Sequence, residues 1–174
     1  MAMMACLPDS TECSKNERKK GADVVACEIY SIQELCDYRY VVILSRYRGA
    51  LLLSRHRQRS TWEAQGGHIE SGETPLEAAK RELYEESGAV QFTIEPLCDY
   101  RAGDGTSYSN GVVFVADVAE LGPMPDSEME ETQCFLRLPE SLTYPEILPK
   151  MYAYLLTIHP EFFRDDSDST PRSV

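Results

Sequence analysis

The chain has 174 residues, 43% of them apolar and 26% charged, an ordinary globular balance with length enough for one sizeable core. Its 29 acidic and 17 basic residues give a formal charge of -12, which argues against a binder that neutralises a nucleic-acid polymer with a basic face. A small nucleotide stays compatible, because a divalent cation can bring two negative groups together.

In chain order, residues 1–20 mix Ser, Thr, Lys, Glu and Asn without periodicity, and their start lacks the apolar run of a secretory signal. They read as a polar tail, as do residues 161–174, which leaves a single domain over 21–160. No segment approaches the roughly 18 apolar residues that span a membrane, so no membrane partner is expected. Strands are predicted at 24–30 and 38–44, rich in β-branched and aromatic residues, and at 50–55 after the turn Arg46-Tyr47-Arg48-Gly49. Further strands fit 91–97, 111–118 and 132–138, with a Gly/Pro loop at 122–127.

Two helices stand out. The first opens with Thr74-Pro75-Leu76-Glu77, an N-cap Thr, Pro at the first helical position and Glu at the third, and should end at Gly88. The second follows Thr143-Tyr144-Pro145, with Leu148, Met151, Tyr152, Leu155 and Ile158 on one stripe. Mixed strands and two core-packing helices make the fold α/β, a sheet covered by helices. Cys6, Cys13, Cys27, Cys36, Cys98 and Cys134 are irregularly spaced with no Cys-x-x-Cys pair, so reduced thiols in a cytoplasmic protein are expected.

The first helix carries the chemistry. Glu82, Glu85 and Glu86 stand at i, i+3 and i+4, beside the apolar stripe of Leu76, Ala79 and Leu83. Three crowded carboxylates near a core need protons or a cation, and oxygen donors without His or Cys suit Mg2+ or Mn2+. The plain alternative is a solvated acidic helix face. Just before this region, Arg46, Arg48, Arg55, Arg57 and Arg59 concentrate positive charge. Arg55 and Arg57 could hold phosphates, and Trp62 could stack on a base or fill the core.

From Gly67 the chain runs through Glu73 to Arg81-Glu82-Leu83-Tyr84-Glu85-Glu86-Ser87-Gly88-Ala89 at the spacing of the Nudix box, which it resembles at every fixed position. Ala89 departs, standing where the family has Ile, Leu or Val. The likeness covers about residues 24–158. Trp62-Glu63-Ala64-Gln65-Gly66-Gly67 resembles the family's entry to the box, with Gln65 where Pro is usual, and Ser141-Leu142-Thr143-Tyr144-Pro145 resembles the link to the last helix in MutT-like members.

The resemblance implies the Nudix α/β/α sandwich, a mixed sheet between helices. It implies Mg2+ or Mn2+ held by Glu82, Glu85, Glu86 and the Gly66 carbonyl, with Arg81 and Glu73 orienting the glutamates. Glu85, Glu128 and Glu131 are the candidates to take the proton from the attacking water; His68 and Glu70 are structural. The implied activity is hydrolysis of a nucleoside triphosphate, an oxidised purine deoxynucleotide among the options, to monophosphate and pyrophosphate. ADP-ribose or a dinucleoside polyphosphate as substrate, or a non-catalytic nucleotide sensor, are the alternatives. Gly105 is not the proline of many ADP-ribose hydrolases, and Tyr108 sits only near the tyrosine of the dinucleoside polyphosphate group. The oligomeric state stays open.

Overall fold

Why one sheet can bury both of its faces is visible in the alternation of its central strands. The computed structural model describes residues 26–104 and 106–163. Seven strands form one sheet: β1 (Ala26–Tyr30), β2 (Tyr38–Tyr47), β3 (Ala50–His56), β4 (Gln65–His68), β5 (Ala89–Gly103), β6 (Tyr108–Leu121) and β7 (Met129–Phe135). Two helices accompany them, α1 (Pro75–Ser87) and α2 (Leu148–Ile158). The spatial order is β1-β5-β6-β2-β3-β7, with β4 also on β2. Only β2 and β6 run parallel among these pairs; the others are antiparallel.

Ile43 and Leu44, or Val112 and Val113, point to opposite faces because side chains alternate along a strand. Val41, Ile43, Leu52, Val112 and Phe114 meet Ala78, Ala79 and Leu83 of α1. Leu44, Leu51, Leu53, Val113 and Val115 meet Leu148, Met151 and Leu155 of α2. This is the expected sandwich, with a helix on each face.

The edge of β2 is divided between two partners. Ser45–Tyr47 pair with β3, while Tyr40–Ile43 pair with β4. The sheet therefore parts between β3 and β4, where the site lies.

The expected tail at 1–20 lies outside the described residues. That at 161–174 does too, apart from 161–163, where Phe162 and Phe163 pack on the core. Cys27, Cys98 and Cys134 are free thiols, and Cys6 and Cys13 lie outside the described residues. Among the described residues no helix is long and apolar enough to cross a membrane.

Candidate functional site

Helix α1 starts where its cap dictates. Thr74 Oγ1 accepts from Glu77 N–H at 3.3 Å, and Glu77 accepts from Thr74 N–H at 2.8 Å, a reciprocal capping box. Gly88, at φ +73°, ends the helix in the left-handed region. Ala79, Leu83 and Glu86 fall at i, i+4 and i+7, so the buried stripe that docks α1 also carries Glu86 inward.

Glu86 is consequently buried, and its Oε2 accepts the Gly66 N–H at 2.8 Å. Burial pushes this carboxyl up to about 9; the Gly66 N–H opposes the rise, and Glu82, Glu63 and Glu128 add to it by like-charge repulsion. Burial likewise raises Glu82, against the pull of Arg81. Glu82 also crowds β4, for a Cβ on Gly67 would lie 2.2 Å from its Oε1.

Arg81 ties loop to helix. It donates to both oxygens of Glu73 at 2.9 Å, to the His68 carbonyl at 3.0 Å, to Glu82 at 2.8 Å and to Glu85 at 3.3 Å. Glu73 accepts from Glu70 N–H as well, and the Arg81 and Glu70 donors together hold its carboxyl below the usual range.

Behind Glu86 lies a buried polar chain. Ser54 Oγ donates to the Glu86 carbonyl at 2.7 Å and accepts from Gln65 Nε2 at 2.8 Å. Gln65 Oε1 in turn lies 2.5 Å from Ser45 Oγ. All three side chains are fully buried, so each hydrogen bond spares a polar group that would otherwise be stranded.

In front of Glu86 opens a cavity of about 650 Å3. Glu63, Glu86, Asp104, Glu128 and Arg59 supply its charged lining; Tyr40, Tyr100, Leu148 and Met151 supply much of the rest. Glu63 is buried, and both of its carboxylate oxygens accept from the single Nη1 of Arg59, at 2.8 and 3.2 Å. The rings of Tyr40 and His68 stand 4.4 Å apart.

The structure brings together Gly66, Glu73, Arg81, Glu82, Glu85 and Glu86, with Glu128 across the cavity. Four expected residues are elsewhere. Arg55 is paired with Glu130 and Glu131, each at 2.9 Å, which also removes Glu131 from the cavity. Arg57 donates to the Ser127 carbonyl and lies 3.8 Å from Asp126. Trp62 packs edge-on against Phe135 at 5.0 Å and against the core. Sequence reasoning missed Glu63 and Arg59 as cavity residues. The signal was present for Glu63, which alternates in phase with buried Gln65.

The chemistry of the donors suits a hard divalent cation: a buried carboxylate, further carboxylates and a backbone carbonyl, all oxygen. Glu86 is a carboxyl whose charge burial opposes and whose neighbours repel it, which a cation would relieve. As the side chains stand, Glu82 and Glu85 turn to Arg81, and no group of three acidic, His or Cys side chains among the described residues converges to hold a metal.

A family model described as NUDIX domain matches residues 37–155. A Bacillus subtilis protein provisionally named 8-oxo-dGTP diphosphatase YtkD is 31% identical over 106 residues, 60% of this chain and 66% of its own length. A CMP-5'-(N-acetyl-N-hydroxy-3-aminopropyl)phosphonate hydrolase of Streptomyces rubellomurinus is 32% identical over 98 residues, 53% of this chain and 48% of its own. The chain thus spans less than two thirds of the length of either relative. The pyrophosphohydrolase BsRppH of Bacillus subtilis has a similar fold, with TM-score 0.66, 24% identity, and 81% of this chain and 98% of its own covered.

Proposed function

The chain belongs to the NUDIX family, and from that premise we propose that it hydrolyses a nucleoside triphosphate to the monophosphate and pyrophosphate, with Mg2+ or Mn2+ as cofactor. The observation that carries the reading is the cavity, in which buried Glu86 faces Glu63 and Glu128 beside an aromatic and apolar lining. A nucleotide offers the matching chemistry, a polyphosphate and a flat base. An oxidised purine base is a refinement that rests on the name of the Bacillus relative.

Glu82, Glu85, Glu86 and the Gly66 carbonyl would hold the cation, which when bound offsets phosphate charge and makes water a better nucleophile. Arg81 and Glu73 keep the glutamates in place, since the fork between them spans loop and helix. Arg59 is the arginine that lines the cavity, and its guanidinium suits a phosphate oxygen. Tyr40 and Tyr100 offer ring faces to the base.

Glu128 is the carboxylate that takes the proton from the attacking water. Glu131 is occupied by Arg55 and Glu85 by Arg81, whereas Glu128 lines the cavity. Incubating the protein with Mg2+ and a panel of nucleoside triphosphates, ADP-ribose, dinucleoside polyphosphates and nucleotide sugars, with products separated by chromatography, tests the reading. Monophosphate plus pyrophosphate is expected. Inorganic phosphate plus diphosphate, or inert triphosphates beside rapid ADP-ribose turnover, would overturn it.

A further inference from the structure

Strand β3 ends on a histidine that the reaction outlined above does not use. The β3–β7 ladder pairs Arg55 with Glu131 and then His56 with Met129, skipping Glu130. This bulge leaves two acidic residues against Arg55, both ion-paired to it, and sets the His56 ring beside the next residue along, Glu128. The ring is largely buried, at 13% side-chain exposure, and lines the cavity.

Two bonds fix the pair. The Gln58 N–H points at His56 Nδ1 from 3.0 Å. A backbone amide only donates, so Nδ1 accepts, and the one proton of the neutral ring sits on Nε2. That nitrogen lies 3.4 Å from Glu128 Oε2, facing it at a distance long for a hydrogen bond. From the other side, Arg57 N–H donates to the Glu128 carbonyl at 3.0 Å, holding its backbone on the end of β3.

We propose that His56 is a positioning residue, whose Nε2–H aims the Glu128 carboxylate into the cavity. The Glu128 side chain is otherwise 69% exposed and free to swing into solvent. A donor on its Oε2 restricts the swing and leaves Oε1 to receive a proton. The inference rests on Glu128 being the proton acceptor, and the test separates the two.

Long-range 15N–1H spectra of the full chain, with His56 identified by its absence from His56→Gln, are expected to show a ring protonated at Nε2 and bare at Nδ1. The reverse tautomer overturns the proposal whatever the kinetics, and this measurement needs no variant beyond the assignment. Kinetics with a purine deoxynucleoside triphosphate and Mg2+ form the second arm. Glu128→Gln should lower kcat about 100-fold or more. His56→Leu should lower it about tenfold with KM little changed, and His56→Gln, which restores a donor near the Nε2 position, should recover most of that loss. In the Glu128→Gln background, His56→Leu should cost nothing further. An equal loss in both backgrounds reduces His56 to a structural role and overturns the proposal. Wild-type turnover by Glu128→Gln refutes the proton-acceptor assignment itself, and His56 loses its function with it.

Discussion

Gly66 and Gly67 are neighbours in β4, yet adding one methyl group to each should produce opposite failures. A Cβ at Gly67 would sit 2.2 Å from Glu82 Oε1 and 2.6 Å from its Cδ. Unstrained contacts between such atoms need about 3.5 Å, so the carboxylate must retreat by about 1 Å. It is the end of a flexible side chain, and the rest of the protein need not move. Displacement of a site group by about 1 Å costs on the order of 100-fold in rate. Gly67→Ala should therefore lower kcat by about that factor while keeping its Tm. A Cβ at Gly66 would instead meet the Val41 carbonyl at 2.3 Å and Val42 Cα at 3.1 Å, both backbone of a central strand, from a residue at φ +156°. That strand is packed on both faces and cannot yield. Gly66→Ala should cost roughly 3 kcal/mol or more, lowering Tm by about 6–12 °C for a chain of this size. Thermal melts beside turnover measurements distinguish the two. Full turnover by Gly67→Ala, or a Tm as low as that of Gly66→Ala, would refute the assignment of Glu82 to the site.

Two further outcomes are expected. With metal chelated, stability should fall as pH rises from about 4.5 towards about 9, because folded Glu86 holds its proton more tightly than the unfolded chain does. Glu86→Gln should flatten that slope in denaturant titrations and abolish the Tm rise that Mg2+ gives the wild type; an unchanged slope would contradict the burial argument. Arg59→Ala should raise KM about tenfold or more, whereas Arg57→Ala should leave it within about twofold, since only Arg59 lines the cavity. Equal effects in steady-state assays would return the phosphate role to the hairpin arginines.

Local signals were the readable part of the sequence. Thr74, Pro75, Glu77 and Gly88 act through bonds within one helix, so its limits follow directly, and Leu148, Met151 and Leu155 mark α2 by period. Strands were harder where charge and irregularity interrupt them. Asp99 and Arg101 hide the second half of β5, which runs to Gly103 and shifts register between Pro96 and Cys98. Strand β7 starts at Met129 instead of residue 132, because pairing with β3, not composition, sets its place. The same cause explains the site. Glutamates sharing a helix are legible as a group, but which arginine faces the cavity depends on how two distant strands meet. Arg55 and Arg57 find acidic partners on or beside β7, whereas Arg59 pairs with Glu63 within the cavity lining.

The chain of Ser45, Gln65 and Ser54 behind Glu86 has a bearing on how this molecule can change over generations. Gln65 stands where the resembled family has proline, and the two serines supply what its amide needs. A proline at 65 alone would remove the amide's bonds to both hydroxyls, at about 1 kcal/mol for each bond lost, while Ser45 keeps the Leu52 carbonyl and Ser54 the Glu86 carbonyl as partners. Replacing Ser45 would take the partner of the amide oxygen, whereas replacing Ser54 leaves the amide N–H its bond to the Leu52 carbonyl. The three positions are therefore coupled: a change at any one removes hydrogen bonds from the others, while the Leu52 and Glu86 carbonyls keep part of the network paired.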